Sequence, residues 1–121
     1  MKAVFDTTIL LDQLNSVSDA THAINQYDGI VSTVSVIELL AAAKTPEAEK
    51  KARELLSIFE VIHTNDNISD HAVKLPRDYG LEEGEAIIYA SAKHLGCLLI
   101  TSNDHSFRAD WEDVKIPYTA S

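Results

Sequence analysis

The sequence lacks several features on which common classes of protein depend. Among its 121 residues there is one cysteine, Cys97, so no internal disulfide can form. No apolar run is long enough for a membrane span or a signal-peptide core, because Asp6 and Asp12 interrupt the run near the N-terminus. We therefore expect a cytoplasmic protein that does not enter a membrane, with Cys97 as a buried structural thiol.

Positive charge and familiar catalytic motifs are also scarce. The 10 lysines and arginines stand against 19 aspartates and glutamates, a formal net charge of −9, which argues against passive coating of nucleic acid. The balance is compatible with a nuclease, because a bound divalent metal neutralises the carboxylates that hold it. No zinc-ligand spacing, glycine-rich phosphate loop or GxSxG nucleophile elbow occurs.

Two kinds of apolar pattern alternate along the chain. Short apolar runs predict strands at residues 2–5, 30–33, 59–62 and 98–101, with a last edge strand within 114–118. Helical periodicity predicts helices at 9–14, 19–27, 35–43, 46–57, 68–75 and 84–95, the last two ended by Pro76 and Gly96. This alternation indicates a parallel sheet covered on both faces, in one domain over residues 1–121.

Four acidic residues occupy the places where ligands collect in such a fold, beyond the carboxyl ends of the strands. Asp6 ends the first strand, and Asp104 lies in the loop after the fourth. Glu38 and Glu85 lie in the first turns of the third and sixth predicted helices. The four are far apart in sequence, but this topology can bring them close together.

Each acid also has a purely structural interpretation. Asp6 could cap a helix, and Glu38 could complete a capping box with Ser35. Glu85 could complement a helix dipole, and Asp104 could form an Asx-turn. Their joint placement favours a shared site, because the helix that follows Glu85 is apolar nearly all round and is therefore expected to lie buried beside a cleft.

Carboxylates that gather without partners raise one another's pKa, and a hard divalent cation relieves the repulsion. We therefore predict that Asp6, Glu38, Glu85 and Asp104 form a catalytic Mg²⁺ or Mn²⁺ site. Such ions support phosphoryl displacement, because they activate water and stabilise charge on the scissile phosphate.

Four segments carry a more specific pattern: residues 4–12 (VFDTTILLD), 35–40 (SVIELL), 84–92 (GEAIIYASA) and 99–107 (LITSNDHSF). In this order and spacing they resemble a PIN domain, and most closely the VapC-type toxins of toxin–antitoxin pairs. The family's first three acidic positions fall on Asp6, Glu38 and Glu85, the last of which is commonly an aspartate. Its fourth polar position falls on Asn103, next to the carboxylate of Asp104.

The resemblance implies further properties. Thr7 and Thr101 match positions whose hydroxyls support the acids, and Asn103 shares that supporting role. The implied fold is a three-layer α/β/α sandwich with a mostly parallel central sheet. The implied activity is metal-dependent endoribonuclease cleavage of structured RNA such as tRNA or ribosomal RNA, by a homodimer that a cognate antitoxin inhibits.

Two other interpretations remain open at this stage. A response-regulator receiver is also an acidic, magnesium-binding α/β domain, but it needs a phospho-accepting aspartate directly after a central strand and a later lysine. Asp66 lies several residues beyond the third predicted strand, and no lysine directly follows Thr101. The other interpretation is a PIN-like interaction module without catalysis, suggested by Glu85 and by Asn103 at the fourth polar position.

Overall fold

The structure is a computed structural model that describes residues 1–119; residues 120 and 121, which the predicted domain included, lie outside the described part. The helices and strands follow one another along the chain as β1 Lys2–Phe5, α1 Thr7–Leu14, α2 Ser18–Ile24, β2 Asp28–Ser32, α3 Thr33–Ala42, α4 Pro46–Leu56, β3 Glu60–Ile62, α5 Asp66–Tyr79, α6 Glu83–Leu95, β4 Leu98–Ile100 and β5 Val114–Lys115. The predicted alternation of strands and helices is confirmed.

The five strands form one sheet in the order β3-β2-β1-β4-β5, and every pair of neighbours is parallel. β1 is central, and the chain runs outward from it in both directions, first to β2 and later to β4. Ligands of open α/β sheets bind at such a switch point. Receiver domains have the order 2-1-3-4-5, so the receiver interpretation was wrong.

The sheet separates two apolar cores. On one face Val4, Ile30 and Leu99 pack against α5 and α6. On the other face Phe5 and Ile100 pack with the four helices from α1 to α4. Because alternate residues of a strand point to opposite faces, the short strands supply both cores, and the α/β/α layering is confirmed. Among residues 1–119, no helix combines the length and apolarity needed to cross a bilayer.

Two predicted helix bounds are wrong for an identifiable physical reason. α3 begins at Thr33 rather than Ser35, because Ser32 caps it by accepting a hydrogen bond from the Val34 amide at 3.1 Å. Pro76 does not end α5: it lies in the last turn, the helix continues to Tyr79, and Gly80 caps it in the left-handed conformation. The last strand lies within the predicted range 114–118 and comprises only Val114–Lys115.

The side chain of Phe59 fills the space above Gly29 in β2. A Cβ on Gly29 would lie 2.4 Å from Phe59 Cδ1, and the Phe59 ring is buried edge-on against Phe5 with 5.7 Å between centroids. We expect Gly29→Ala to lower the free energy of unfolding by about 1–3 kcal/mol through overpacking. Urea unfolding measures this. The control is Gly84→Ala, whose Cβ would have no contact shorter than 3.5 Å; equal stability of the two variants would contradict the prediction.

Candidate active site

Asp6 stands at the centre of the carboxyl edge of the sheet. It directly follows β1, and its backbone N–H donates to the carbonyl of Ile100 at the end of β4. Its side chain is only 3% exposed and caps α1, because Oδ1 accepts a hydrogen bond from the Thr7 amide at 2.9 Å. The capping interpretation is therefore correct for one carboxylate oxygen, and the other oxygen faces a different set of groups.

That second oxygen of Asp6 accepts hydrogen bonds from two hydroxyls. Thr101 Oγ1 donates to Oδ2 at 2.7 Å, and Thr8 Oγ1 donates to the same atom at 3.2 Å. Backbone amides orient both hydroxyls: the Asn103 N–H donates to Thr101 Oγ1 at 3.0 Å, and the Ser102 N–H donates to Thr8 Oγ1 at 3.3 Å. The loop after β4 thus fixes the surroundings of the β1 carboxylate.

Burial raises the pKa of Asp6 above its ordinary value. The hydrogen bonds from Thr101, Thr8 and Thr7 oppose that shift, and the negative charge of Glu85 adds to it. None of the ion pairs among residues 1–119 involves Asp6, Glu38 or Glu85. A buried carboxylate therefore faces a second acid without a basic side chain to compensate either charge.

Glu38 reaches this edge from α3. Since the helix begins at Thr33, Glu38 lies in its second turn and not in a capping box with Ser35. Thr7 Oγ1 donates to Glu38 Oε1 at 2.6 Å, which links the residue after Asp6 to the second acid. A Cβ on Gly84 would lie 3.5 Å from Glu38 Oε2, so this carboxylate lies beside the first turn of α6.

Glu85 is held from two sides in the first turn of α6. Its Oε1 accepts from the Glu82 amide at 3.0 Å, and its Oε2 accepts from Asn103 Nδ2 at 3.0 Å. Asn103 Oδ1 in turn accepts from the His105 amide at 3.1 Å, so the Asx-turn belongs to Asn103 rather than Asp104. Asn103, at the family's fourth polar position, is therefore the side chain that contacts Glu85.

Asp104 lies outside this hydrogen-bonded network of described residues. Its side chain is 48% exposed, and Oδ1 lies 4.0 Å from His105 Nε2. Asp104 lines a cavity of about 240 Å³ together with Thr8 and Asn103, but among the described residues no hydrogen bond joins it to the other acids. Arg108, in the same loop, forms a bidentate pair with Asp110 at 2.9 and 3.0 Å.

The donor set fits a hard cation better than a soft one. The groups around Asp6 are carboxylates, hydroxyls and one amide, which are ligands or ligand supports for Mg²⁺ or Mn²⁺ and not for zinc. In the part of the chain that is described, no group of three or more His, Cys, Asp or Glu side chains is placed to hold a metal ion directly. The acids are instead joined through Thr7, Thr101 and Asn103, the residues predicted to support them.

Two supporting residues escaped the sequence analysis. Thr8 follows the predicted Thr7, and a second hydroxyl directly after a strand-ending aspartate is a signal that could have identified it. Ser35 is completely buried and contacts Thr7 Oγ1 at 2.9 Å. The sequence pattern predicts a helix cap at Ser35 because it places the start of α3 two residues too late.

A parallel α/β sheet with carboxylates gathered at its central switch point defines a class of proteins suited to binding cations and phosphates. Within that class, this chain belongs to the PIN domain family, whose model matches residues 3–110. Curated protein sequences give no match.

Three solved structures illustrate the similarity. A toxin–antitoxin complex from Klebsiella pneumoniae is 32% identical over 98% of this chain and 99% of that chain, with a TM-score of 0.89. DNA-bound VapBC from Salmonella typhimurium is 16% identical over 95% and 97%, with a TM-score of 0.76. VapBC-1 from nontypeable Haemophilus influenzae is 19% identical over 97% and 98%, also at 0.76. The last two similarities establish the fold alone.

Proposed function

We propose that this chain is a metal-dependent endoribonuclease that acts as the toxin of a VapBC-type toxin–antitoxin pair in the cytoplasm. The observation that carries the proposal is the uncompensated negative charge at the sheet edge. Asp6 is buried, burial raises its pKa and the negative charge of Glu85 adds to the shift, and the ion pairs of residues 1–119 involve neither of them, nor Glu38. Structures keep such a cluster only where it has a role that offsets the repulsion.

The acids would hold Mg²⁺ or Mn²⁺, with Asp6, Glu38 and Glu85 as the central carboxylates and Asp104 as an outer one. When bound, the ion supplies Lewis-acid stabilisation of charge on the phosphodiester oxygens. Thr101 and Asn103 orient Asp6 and Glu85 through bonds of 2.7 and 3.0 Å. Such support fixes the direction of each carboxylate before substrate arrives, which is the condition for electrostatic catalysis.

The proposed partners are RNA, a cognate antitoxin and a second copy of the chain. The antitoxin is supported by the 32% identical structure from Klebsiella pneumoniae, which is a toxin–antitoxin complex. The net charge of −9 also suits a basic protein partner. Structured RNA such as tRNA or ribosomal RNA is the substrate class that the family resemblance implies, and homodimerisation has the same basis.

Manganese titration and RNA cleavage test the function directly. We expect calorimetry to detect Mn²⁺ binding, and total RNA to be cleaved only when metal is present. Glu38→Gln should reduce cleavage by about tenfold or more, because a neutral amide is a poor ligand for a hard cation. Glu54→Gln makes the same change at an exposed position on a different helix, α4, so it serves as the control and should keep wild-type activity. Cleavage that persists in a chelator would contradict the proposal.

A second candidate is a PIN-like interaction module without catalysis. Asn103, and not a carboxylate, contacts Glu85, and the described residues contain no direct metal-holding group of three or more ligands. The same titration separates the two candidates. Absence of manganese binding by the wild-type protein would favour the interaction module, whereas binding with metal-dependent cleavage would exclude it.

A further inference from the structure

Ser35 has an unusual position for a helical serine. It lies in the first turn of α3, its side chain is completely buried, and among the described residues its hydroxyl contacts only Thr7 Oγ1, at 2.9 Å. Buried helical serines often donate to the carbonyl four residues earlier, as Ser91 does to Ile87 at 2.7 Å. Ser35 does not, so its proton is available to another group.

The direction of the hydrogen bonds follows from the number of protons. A threonine hydroxyl has a single hydrogen, and Thr7 Oγ1 lies within bonding distance of Glu38 Oε1 at 2.6 Å and of Ser35 Oγ at 2.9 Å. An ionised carboxylate can only accept, so the Thr7 hydrogen points to Glu38. Thr7 Oγ1 then accepts the Ser35 hydrogen, which would otherwise be buried without a partner.

We propose that Ser35 is a positioning residue of the metal site, acting through Thr7 to hold the Glu38 carboxylate in place. This inference rests on the proposed metal-dependent function. Serine donates to threonine and threonine donates to glutamate, so the three groups form a chain with one orientation. Each hydrogen bond in this series strengthens the next one. The series runs from Ser35 on α3 to Thr7 on α1 and back to Glu38 on α3. Glu38 is otherwise an exposed side chain with many accessible rotamers.

The expected consequence is a loss of metal affinity without a loss of fold. In Ser35→Ala, Thr7 keeps its hydrogen but loses the donor that fixes its direction, so Glu38 becomes less ordered. Mutation of a residue that hydrogen-bonds a metal ligand typically lowers metal affinity by about 10–100-fold. Ser35 is one hydrogen bond further from the ligand than Thr7, so we expect Mn²⁺ to bind about three- to tenfold more weakly to Ser35→Ala. Thermal unfolding without metal should change little. Ser91→Ala is the matched control, because it also removes a buried helical hydroxyl.

A double-mutant cycle separates positioning from packing. If Ser35 acts through Thr7, Ser35→Ala should not further weaken Mn²⁺ binding in a Thr7→Val protein. Wild-type affinity in Ser35→Ala, or a full additional loss in the double variant, would overturn the inference while leaving the proposed function intact. A wild-type protein that binds no manganese would contradict both the inference and the function.

Discussion

In the Asp6→Asn variant, we expect metal-dependent RNA cleavage to fall by about 100-fold or more, the scale on which single central electrostatic groups act in enzymes. Asp6 is the only acid of the cluster that is fully buried, and it lies at the switch point between β1 and β4. The amide is nearly isosteric but removes the negative charge that would attract the cation. A cleavage assay on total RNA with added Mn²⁺, at equal protein concentrations, measures the loss.

When metal is removed, the stability of the same variant relative to the wild type should rise with pH. Burial raises the pKa of Asp6, so the folded protein retains this proton to higher pH than the unfolded chain. The charged form is therefore disfavoured by folding, and the wild type loses stability as pH rises from the unfolded pKa near 3.8 through the raised folded value. The asparagine side chain of the variant does not titrate and avoids that loss.

Thermal unfolding in a chelator, from about pH 4 to about pH 8, tests the direction of this change in stability with pH. The free energy of unfolding of Asp6→Asn, relative to that of the wild type, should increase across this range and be lowest at its acidic end. Asp28→Asn is a suitable control, since that acid is exposed and paired with the N-terminal amine at 3.5 Å. Full RNA cleavage by Asp6→Asn would refute the active-site assignment, and a stability difference independent of pH would refute the account of its pKa.

Most of the fold could be predicted because its strands are short, apolar and separated by helices. β1 was predicted to the residue, and β4 lacks only the last residue of its prediction. A strand buried on both faces has a continuous apolar run, which is easily recognised in a sequence. The strand order was not predictable in this way, because local patterns carry no information on which strands are neighbours.

The errors came from choices between local signals that only packing decides. Both Ser32 and Ser35 are possible helix caps, and the sequence pattern favoured Ser35 because Glu38 follows it by three residues. In the fold, Ser32 ends β2 and caps α3, which turns Ser35 inward to Thr7. The same three residues, Ser35, Thr7 and Glu38, were each noted in the sequence, but the contacts of Thr7 with the other two are long-range.

The loop after β4 depends on one aromatic anchor for its shape. Phe107 is completely buried, and its ring meets Tyr89 edge-on, with centroids 5.7 Å apart at 89°. Trp111 covers it from another side, at 6.3 Å and 87°. The Phe107 amide donates to the carbonyl of Asn103 at 3.2 Å, so the anchor also closes the turn that presents the Asn103 side chain to Glu85.

We therefore expect Phe107→Ala to lower the free energy of unfolding by about 3–5 kcal/mol, since it removes a buried aromatic ring and leaves a cavity. That is a large fraction of the roughly 5–15 kcal/mol typical of a domain, so the midpoint of thermal unfolding should fall by on the order of 10 °C or more. Ile58→Ala, at a side chain that is 65% exposed, should change stability by only about 0.5 kcal/mol. Urea unfolding of both variants makes the comparison.

Because the anchor closes the Asn103 turn, the folded fraction of Phe107→Ala should also bind Mn²⁺ more weakly than the wild type. Unchanged affinity would show that Asn103 keeps its place beside Glu85 without the ring.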